Sequence, residues 1–316
     1  MKKPQVSIIV PLFNESLVFN ELVSRLESVL NSISFSAEVL LVNDGSKDDT
    51  ALKIEAQCEK DNRFVGVILS RNYGHQIAVT AGMNHAIASQ AVMIIDGDLQ
   101  DPPELISDFY NLINNGNDVV YAIRKNRKEG FLKKTAYKWY YRLQKKISNL
   151  EIPIDSGDFC MLSTRVVSHM NNMPEQSRYL RGMRSWVGFK QVGFEYDRDS
   201  RAAGESKYSW GQLFKLAFNG IFNFSDFPVK IIIKTGFFTV AISLFYLVYN
   251  LYRKIFFNDV PKGFTAVLAV IILFCGVQML ALGFIGEYVL RIYNQVRNRP
   301  LFIVDKIIKQ KEKEDE

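Results

Sequence analysis

Ala91-Val92-Met93-Ile94-Ile95-Asp96-Gly97-Asp98-Leu99-Gln100-Asp101-Pro102-Pro103 carries the reading of the N-terminal part of this chain. A continuous apolar run of strand length suits a strand covered on both faces. It ends in two carboxylates one residue apart, and alternation points them the same way. Gly97 between them leaves room for a ligand to approach the backbone. Gln100 adds a neutral oxygen. Hard oxygen ligands at a strand end suit Mg²⁺ or Mn²⁺, above all one shared with a diphosphate. The plainer alternative is a turn into the next helix. Asp101 followed by Pro102 is a good cap and first-turn pair, which leaves Asp96 and Asp98 without a local task.

The same grammar recurs along the chain. Val6–Phe13, Glu38–Asn43, Phe64–Ser70, Ala91–Asp96 and Asp118–Ile123 read as strands rich in Val, Ile and Leu. Helical patterns lie between them at about Ser16–Ser34, Asp48–Glu59, Gln76–Ser89 and Glu104–Asn115, with Asp48 placed to cap its helix. This alternation predicts an α/β fold with a parallel sheet and right-handed crossovers. Ligands of such sheets bind at the carboxyl ends of the strands. Four polar clusters follow the first four strands: Pro11–Glu15, Asn43–Ser46, Ser70–Gly74 and Asp96–Asp101. One cluster is an ordinary turn; four in succession predict a shared rim. Asp44 could accept from a base N–H or a ribose hydroxyl. The G-x-G-x-x-G and Walker patterns are missing, which excludes the common dinucleotide and P-loop sites.

The 316 residues carry 39 Lys+Arg against 33 Asp+Glu, a net +6, and 48% are hydrophobic. This excludes a disordered or disulfide-framework chain. A mean hydropathy of −0.01 hides a split along the sequence. Thr235–Tyr252 and Gly263–Gly286 contain no charged residue. A hydrocarbon slab ~30 Å thick needs roughly 20 helical residues, and a core helix of that length would keep a polar stripe. Two transmembrane helices at about 231–252 and 263–286 are expected, joined by the short link Arg253–Lys262. Lys/Arg on both flanks put the N-terminal domain and the tail in the cytoplasm. The expected organisation is a catalytic domain at 1–208, an interfacial amphipathic helix at 209–229, a membrane hairpin at 230–290 and a cytoplasmic tail at 291–316, frayed from Lys309. Val6–Val10 is too short for a signal-peptide core.

Cys58, Cys160 and Cys275 are isolated, so a zinc site or disulfide frame is excluded and lone buried thiols are expected. Arg124–Lys146 mixes ten basic residues with Tyr137, Trp139, Tyr140 and Tyr141. Nucleic acid is one partner for such a mixture. Beside two membrane spans an anionic lipid surface fits better, and no nucleic-acid partner is expected. Arg124 and Arg127 can grip a phosphate, because guanidinium matches its oxygens. Basic helices near a membrane could also pack between subunits as a homo-oligomer. Phe214, Phe218 and Phe222, four residues apart, form the stripe of the interfacial helix.

Val10–Glu15, Val42–Ser46, Asp96–Pro103, Ser156–Phe159 and Arg201–Tyr208 together resemble family 2 glycosyltransferases of the GT-A fold, and the two spans resemble their polyprenyl-phosphate branch. The likeness runs over nearly the whole chain. It implies a GT-A (Rossmann-like, mostly parallel) domain with a membrane hairpin, a nucleotide-sugar donor, inverting transfer and a polyprenyl (undecaprenyl) phosphate acceptor in a bacterial inner membrane. It further implies that Pro11, Glu15, Asp44 and Asp96 hold the nucleotide sugar and that Asp96, Asp98 and Gln100 hold Mg²⁺ or Mn²⁺. Asp158 would lie at the reacting sugar, and Arg201, Ser206 and Lys207 would meet phosphate. Two positions depart from the pattern. Cys160 stands where many relatives have Arg, so a phosphate contact carried there must come from elsewhere or be absent. His75 stands where relatives often have Lys, and is read as a structural or rim residue. Two other readings compete with this one. A processive polysaccharide synthase would carry Gln-x-x-Arg-Trp and more spans, whereas Arg184-Ser185-Trp186 is not that motif. A non-catalytic membrane scaffold does not explain intact Asp96, Asp98 and Asp158.

Overall fold

A computed structural model describes residues 3–124, 156–197, 227–257 and 263–310. It divides into two compact units, one holding the sheet and one holding two long helices.

The sheet unit begins as the apolar periodicity demands. β1 (Val6–Leu12), α1 (Phe19–Ser32), β2 (Ala37–Asn43), α2 (Thr50–Lys60), β3 (Phe64–Leu69), α3 (His75–His85) and β4 (Ala91–Ile94) alternate in order. β4 is flanked by β1, and β1, β2 and β3 follow in parallel. All seven residues of β1 are buried, as a strand covered on both faces requires. Val6, Ile8, Val10 and Leu12 join the core with Leu22 and Leu26 of α1. The other face meets α3, where a Cβ on Gly82 would come within 2.4 Å of Ile9.

The second part of the unit departs from simple alternation. After a short 3₁₀ turn, α4 (Ile106–Asn114) leads to β5 (Val119–Arg124), and β6 (Ser156–Ser163) follows. β6 inserts between β4 and β5 and runs antiparallel to both. The sheet is therefore mostly parallel, as expected, with β6 as an antiparallel insertion that the alternation of strands and helices does not signal. α5 (Thr164–Asn172), α6 (Leu180–Val187) and β7 (Gln191–Tyr196) complete this side, with β7 parallel to β5. Phe159 of β6 stacks on Phe109 of α4 at 5.1 Å between ring centroids and meets Tyr196 at 5.5 Å. Such aromatic packing adds to the gain from burial.

The helix unit contains α7 (Phe227–Phe257) and α8 (Phe264–Val296). Both are long and apolar enough to cross a membrane. Large apolar side chains on both are exposed among the described residues: Phe237 is 77% exposed, Phe245 76% and Leu280 68%. α7 begins at Phe227, so the last residues of the expected interfacial helix are the first turn of this long helix; 209–226 lie outside the described residues.

After α8 the chain rejoins the first unit. β8 (Val304–Ile308) pairs antiparallel with β3 and closes that edge of the sheet, which has the order β7-β5-β6-β4-β1-β2-β3-β8. Ile308 is buried against Gly66, and Lys306 pairs with Glu55 at 2.7 Å. Gln310 donates to the Glu59 carbonyl at 2.9 Å; of the tail expected to fray from Lys309, 311–316 lie outside the described residues. Pairing this edge also removes a row of open backbone groups.

Candidate active site

The four loops at the carboxyl ends of β1–β4 are stitched together, as the succession of polar clusters predicts. Asn14 donates from its backbone to Ser46 Oγ at 3.0 Å, and Lys47 donates to Asn14 Oδ1 at 2.8 Å. Glu15 and Ser16 are held through their backbone N–H groups by Thr50 Oγ1 and Asp48 Oδ2, each at 3.1 Å. Asp48 also accepts from the Thr50 N–H at 3.1 Å, but the cap position of α2 is Asp49, so Asp48 braces the turn before the helix instead of capping it as expected. Gly45 has φ +65°, and a Cβ there would meet the Arg71 backbone at 2.4 Å. Only glycine lets the second and third loops pass so closely.

That passage explains Asp44. It is buried, and its two carboxylate oxygens accept from the Tyr73 and Gly74 N–H groups at 2.7 and 2.9 Å. Burial raises its pKa, against the pull of those two bonds. Asp44 therefore shapes the loop that carries His75. Pro11 is buried inside β1, and Glu15 is half-buried beside the second loop.

The fourth loop corrects two local readings. Asp101 does not cap the next helix; its Oδ1 accepts from the Tyr196 hydroxyl at 2.5 Å. Asp98 does have a local task, since its Oδ1 accepts from the Gln100 N–H at 3.2 Å. Gly97 also has a task within the fold: a Cβ would meet Leu12 Cδ2 at 2.5 Å and the Pro11 carbonyl at 3.2 Å. Leu99 adopts φ +62° and is buried, which fixes the turn between the two carboxylates.

β6 completes the site. Ile94 pairs with Cys160, so antiparallel register carries Asp158 towards Asp96, just beyond the end of β4. His75, from the first turn of α3, stands between these carboxylates. Its Nε2 lies 3.5 Å from Asp96 Oδ1 and 3.6 Å from Asp158 Oδ2. Burial lowers the His75 pKa, but Asp158 and Asp96 outweigh it and raise the pKa to about 9. His75 thus stands at the centre of the strand-end rim, between the two carboxylates, and not in a purely structural place.

Asp158 is buried and held on three sides. Arg181 of α6 donates through Nε to Oδ1 at 2.8 Å and through Nη2 to Oδ2 at 3.2 Å. Gln76 donates to Oδ2 at 3.2 Å and accepts from the Leu180 N–H at 3.0 Å, tying α3 to α6. Burial pushes the Asp158 carboxyl up, yet Arg181 and His75 hold it well below the usual carboxylate range. Asp96 goes the other way. Burial, opposed by His75 and helped by the nearby carboxylates, raises it to about 6. Two carboxylates with diverging acidities on one floor are a mark of a functional site.

No group of three His, Cys, Asp or Glu side chains converges among the described residues to form a protein-only metal cage. The donor set still fits a hard cation. Asp96 Oδ1 is buried without a hydrogen-bond partner, and Asp98 and Gln100 lie in the same loop. Mg²⁺ commonly takes one or two carboxylates and completes its shell with water and substrate phosphate.

Some expected residues lie outside the described set: Arg127, Arg201, Ser206, Lys207 and the basic aromatic segment after Arg124. The Arg124 backbone ends β5 opposite Tyr196. Of the thiols, Cys58 and Cys160 are buried as expected, whereas Cys275 on α8 is exposed. Sequence reasoning missed Gln76 and Arg181 entirely. Their signal is Gln76 directly after His75 and two arginines three apart on one short helix, which becomes meaningful only once β6 is placed.

A mostly parallel sheet with an acidic loop after its fourth strand and a paired aspartate on an inserted antiparallel strand defines a GT-A architecture. Residues 7–170 match the family model described as glycosyl transferase family 2, and the chain belongs to that family. It is 42% identical over 303 residues to the uncharacterized glycosyltransferase YkcC of Bacillus subtilis (strain 168), covering 96% of this chain and 94% of the relative. It is 36% identical to the SfII prophage-derived bactoprenol glucosyl transferase of Shigella flexneri, covering 96% and 98%. Among solved structures, glucosyl-3-phosphoglycerate synthase from Mycobacterium tuberculosis, in complex with Mn²⁺, UDP and glucosyl-3-phosphoglycerate, aligns at 16% identity with a TM-score of 0.47, covering 68% of this chain and 76% of that one.

Proposed function

We propose that this chain transfers a hexose from a nucleotide sugar, UDP-glucose or a close equivalent, to polyprenyl phosphate at the cytoplasmic face of a bacterial membrane. The observation that carries the reading is the meeting of Asp96, His75 and Asp158 at the rim of a family 2 fold whose chain continues into two membrane-length helices. Similarity over 96% of the chain to bactoprenol glucosyl transferases supports a polyprenyl carrier as acceptor. The return of β8 to the catalytic sheet supports a hairpin with both ends on the catalytic side. The exposed apolar side chains of α7 and α8 support a hydrocarbon environment for it.

In the reaction a phosphate oxygen of the acceptor attacks the sugar's anomeric carbon. A new C–O bond forms there, the C–O bond to the nucleotide diphosphate breaks, and the diphosphate leaves with the electron pair from the opposite face. A phosphate monoester with a second pKa of about 6 is already largely anionic at neutral pH, so little proton removal is needed. Asp158, kept ionised by Arg181 and His75, stabilises the positive charge that develops on the sugar and orients the acceptor. Pro11, Glu15 and Asp44 form the nucleotide side of the rim. Asp96 and Asp98, with Gln100, would hold Mg²⁺ or Mn²⁺, which supplies charge stabilisation to the departing diphosphate. Arg124, Arg127, Arg201, Ser206 and Lys207 are the candidates for phosphate contacts. Incubating membranes that contain the protein with radiolabelled UDP-glucose and undecaprenyl phosphate tests the reading. Label should enter the lipid extract; label confined to the water phase for every donor offered would reject it.

A further inference from the structure

Arg184 presents a problem that the proposed reaction does not use. Its side chain is 2% exposed. Nη1 reaches the Gly157 carbonyl at only 3.4 Å, and Nε and Nη2 have no hydrogen-bond partner. The guanidinium lies 5.4 Å from the centre of the Tyr121 ring and beside the Cys160 thiol. A buried cation without an anion carries a large desolvation penalty. The ring and one long carbonyl contact offset part of it. An uncharged side chain of the same length would fill the space without that penalty, so packing alone does not account for the charge.

The position of Arg184 says what the charge is for. Arg181 and Arg184 are three apart on α6 and share a face. Arg181 takes both oxygens of Asp158. One turn further along, Arg184 reaches the Gly157 carbonyl just before Asp158 and the Cys160 thiol two residues after it. Cys160 lies two residues along β6 and so on the same face as Asp158. Arg184 thus adds a second guanidinium beside the aspartate assigned to the sugar, with no carboxylate of its own within reach among the described residues. A thiol does not balance it, because burial raises the Cys160 pKa and keeps the sulfur neutral at physiological pH.

We propose that Arg184 is a phosphate-binding residue of this site: it supplies from α6 the guanidinium that position 160 does not provide from β6, and holds a phosphoryl group of the donor or the acceptor over the start of β6. The assignment deepens the proposed transfer reaction and rests on it. The test compares Arg184→Met, Arg184→Lys and the exchange Arg184→Met/Cys160→Arg. UDP binding is read by calorimetry, KM for the nucleotide sugar and for undecaprenyl phosphate by transfer assay, and folding by thermal melting. Arg184→Met should weaken one anionic substrate about 10- to 100-fold, the worth of a charged hydrogen bond, while the melting temperature holds or rises. A weaker UDP affinity assigns the donor diphosphate; a higher undecaprenyl-phosphate KM alone assigns the acceptor. Arg184→Lys should lose less, and the exchange variant should recover most of the loss. A folded Arg184→Met protein with UDP affinity and both KM values unchanged would overturn the assignment, leaving a buried structural cation. Should Arg184→Met not fold, the exchange variant decides: folded and binding supports the proposal, folded and not binding rejects it. A wild-type protein that binds UDP but transfers no sugar to the lipid would reject the proposed acceptor reaction without touching the UDP result for Arg184.

Discussion

The two units treat the same side chains in opposite ways. In the sheet unit Phe64, Phe109 and Phe159 lie in the core at under 2% exposure, whereas Phe237 and Phe245 of the helix unit face outward along its length. Composition does not separate these phenylalanines; surroundings do. The sheet buries its apolar faces under helices and keeps its polar groups for one rim. The helix pair satisfies its backbone internally and leaves an apolar surface, the arrangement that suits a hydrocarbon solvent. The comparison also locates the chemistry. The transfer proposed above asks for both kinds of surface: a polar rim for a water-soluble donor and an apolar one for a lipid-borne acceptor.

The largest test removes the rim's central carboxylate. Asp158→Asn should lower the transfer rate about 10²- to 10⁴-fold, in the range of a positioned charge or proton-transfer group. A near-normal rate in a lipid-extraction assay would remove Asp158 from the mechanism. Asp98→Ala, or a chelator added to wild type, should cost at least about 100-fold, since metal charge stabilisation is worth several kcal/mol. Full activity in the chelator would dismiss the divalent ion.

The comparison itself is sharpened by paired truncations. Phe109→Ala should cost about 3–5 kcal/mol in chemical denaturation, as a large-to-small core change does. Phe237→Ala should cost under about 0.5 kcal/mol in detergent, as an exposed substitution does. Phe237→Lys should instead deplete the protein from the membrane fraction, because a lysine within an apolar span opposes insertion. Equal costs for the two alanine changes would mean that the helix pair is packed in a core of its own.

Much of this was legible in sequence. Continuous Val/Ile/Leu runs marked β1–β4, and polar clusters after each marked the rim, because strand alternation and turn chemistry act locally. Asp96 and Asp158 were recognisable from their short motifs. What escaped depends on distant pairing. Nothing local says that β6 runs antiparallel between β4 and β5, so neither the Asp96–His75–Asp158 cluster nor the arginines of α6 could be assembled in advance. Asp101 followed by Pro102 has the pattern of a cap, yet Tyr196, 95 residues on, claims the carboxylate. β8 escaped for the same reason: its five residues read as a polar tail until they meet the edge of β3.

Smaller effects probe the edges of the sheet unit. Ile308→Ala should cost about 2 kcal/mol or more, since it opens the contact that seals β8 on β3. No change in melting temperature would show that β8 is dispensable. Asp118 gives a pH test away from the rim. The Arg165 guanidinium, against burial and with help from Ser163, holds its carboxyl below the usual range. A depressed pKa contributes stability above the unfolded value, and this is lost as the pH falls through the folded value. The wild-type melting temperature should therefore fall more steeply below about pH 4 than that of Asp118→Asn. Parallel curves would contradict the pairing.

The most direct measurement offers the purified protein a panel of nucleotide sugars with undecaprenyl phosphate and Mg²⁺ or Mn²⁺, and weighs the lipid product by mass spectrometry. A mass gain of one hexose on the lipid phosphate, absent with Asp158→Asn, is the predicted result. An unchanged lipid with every donor and either ion would contradict the account.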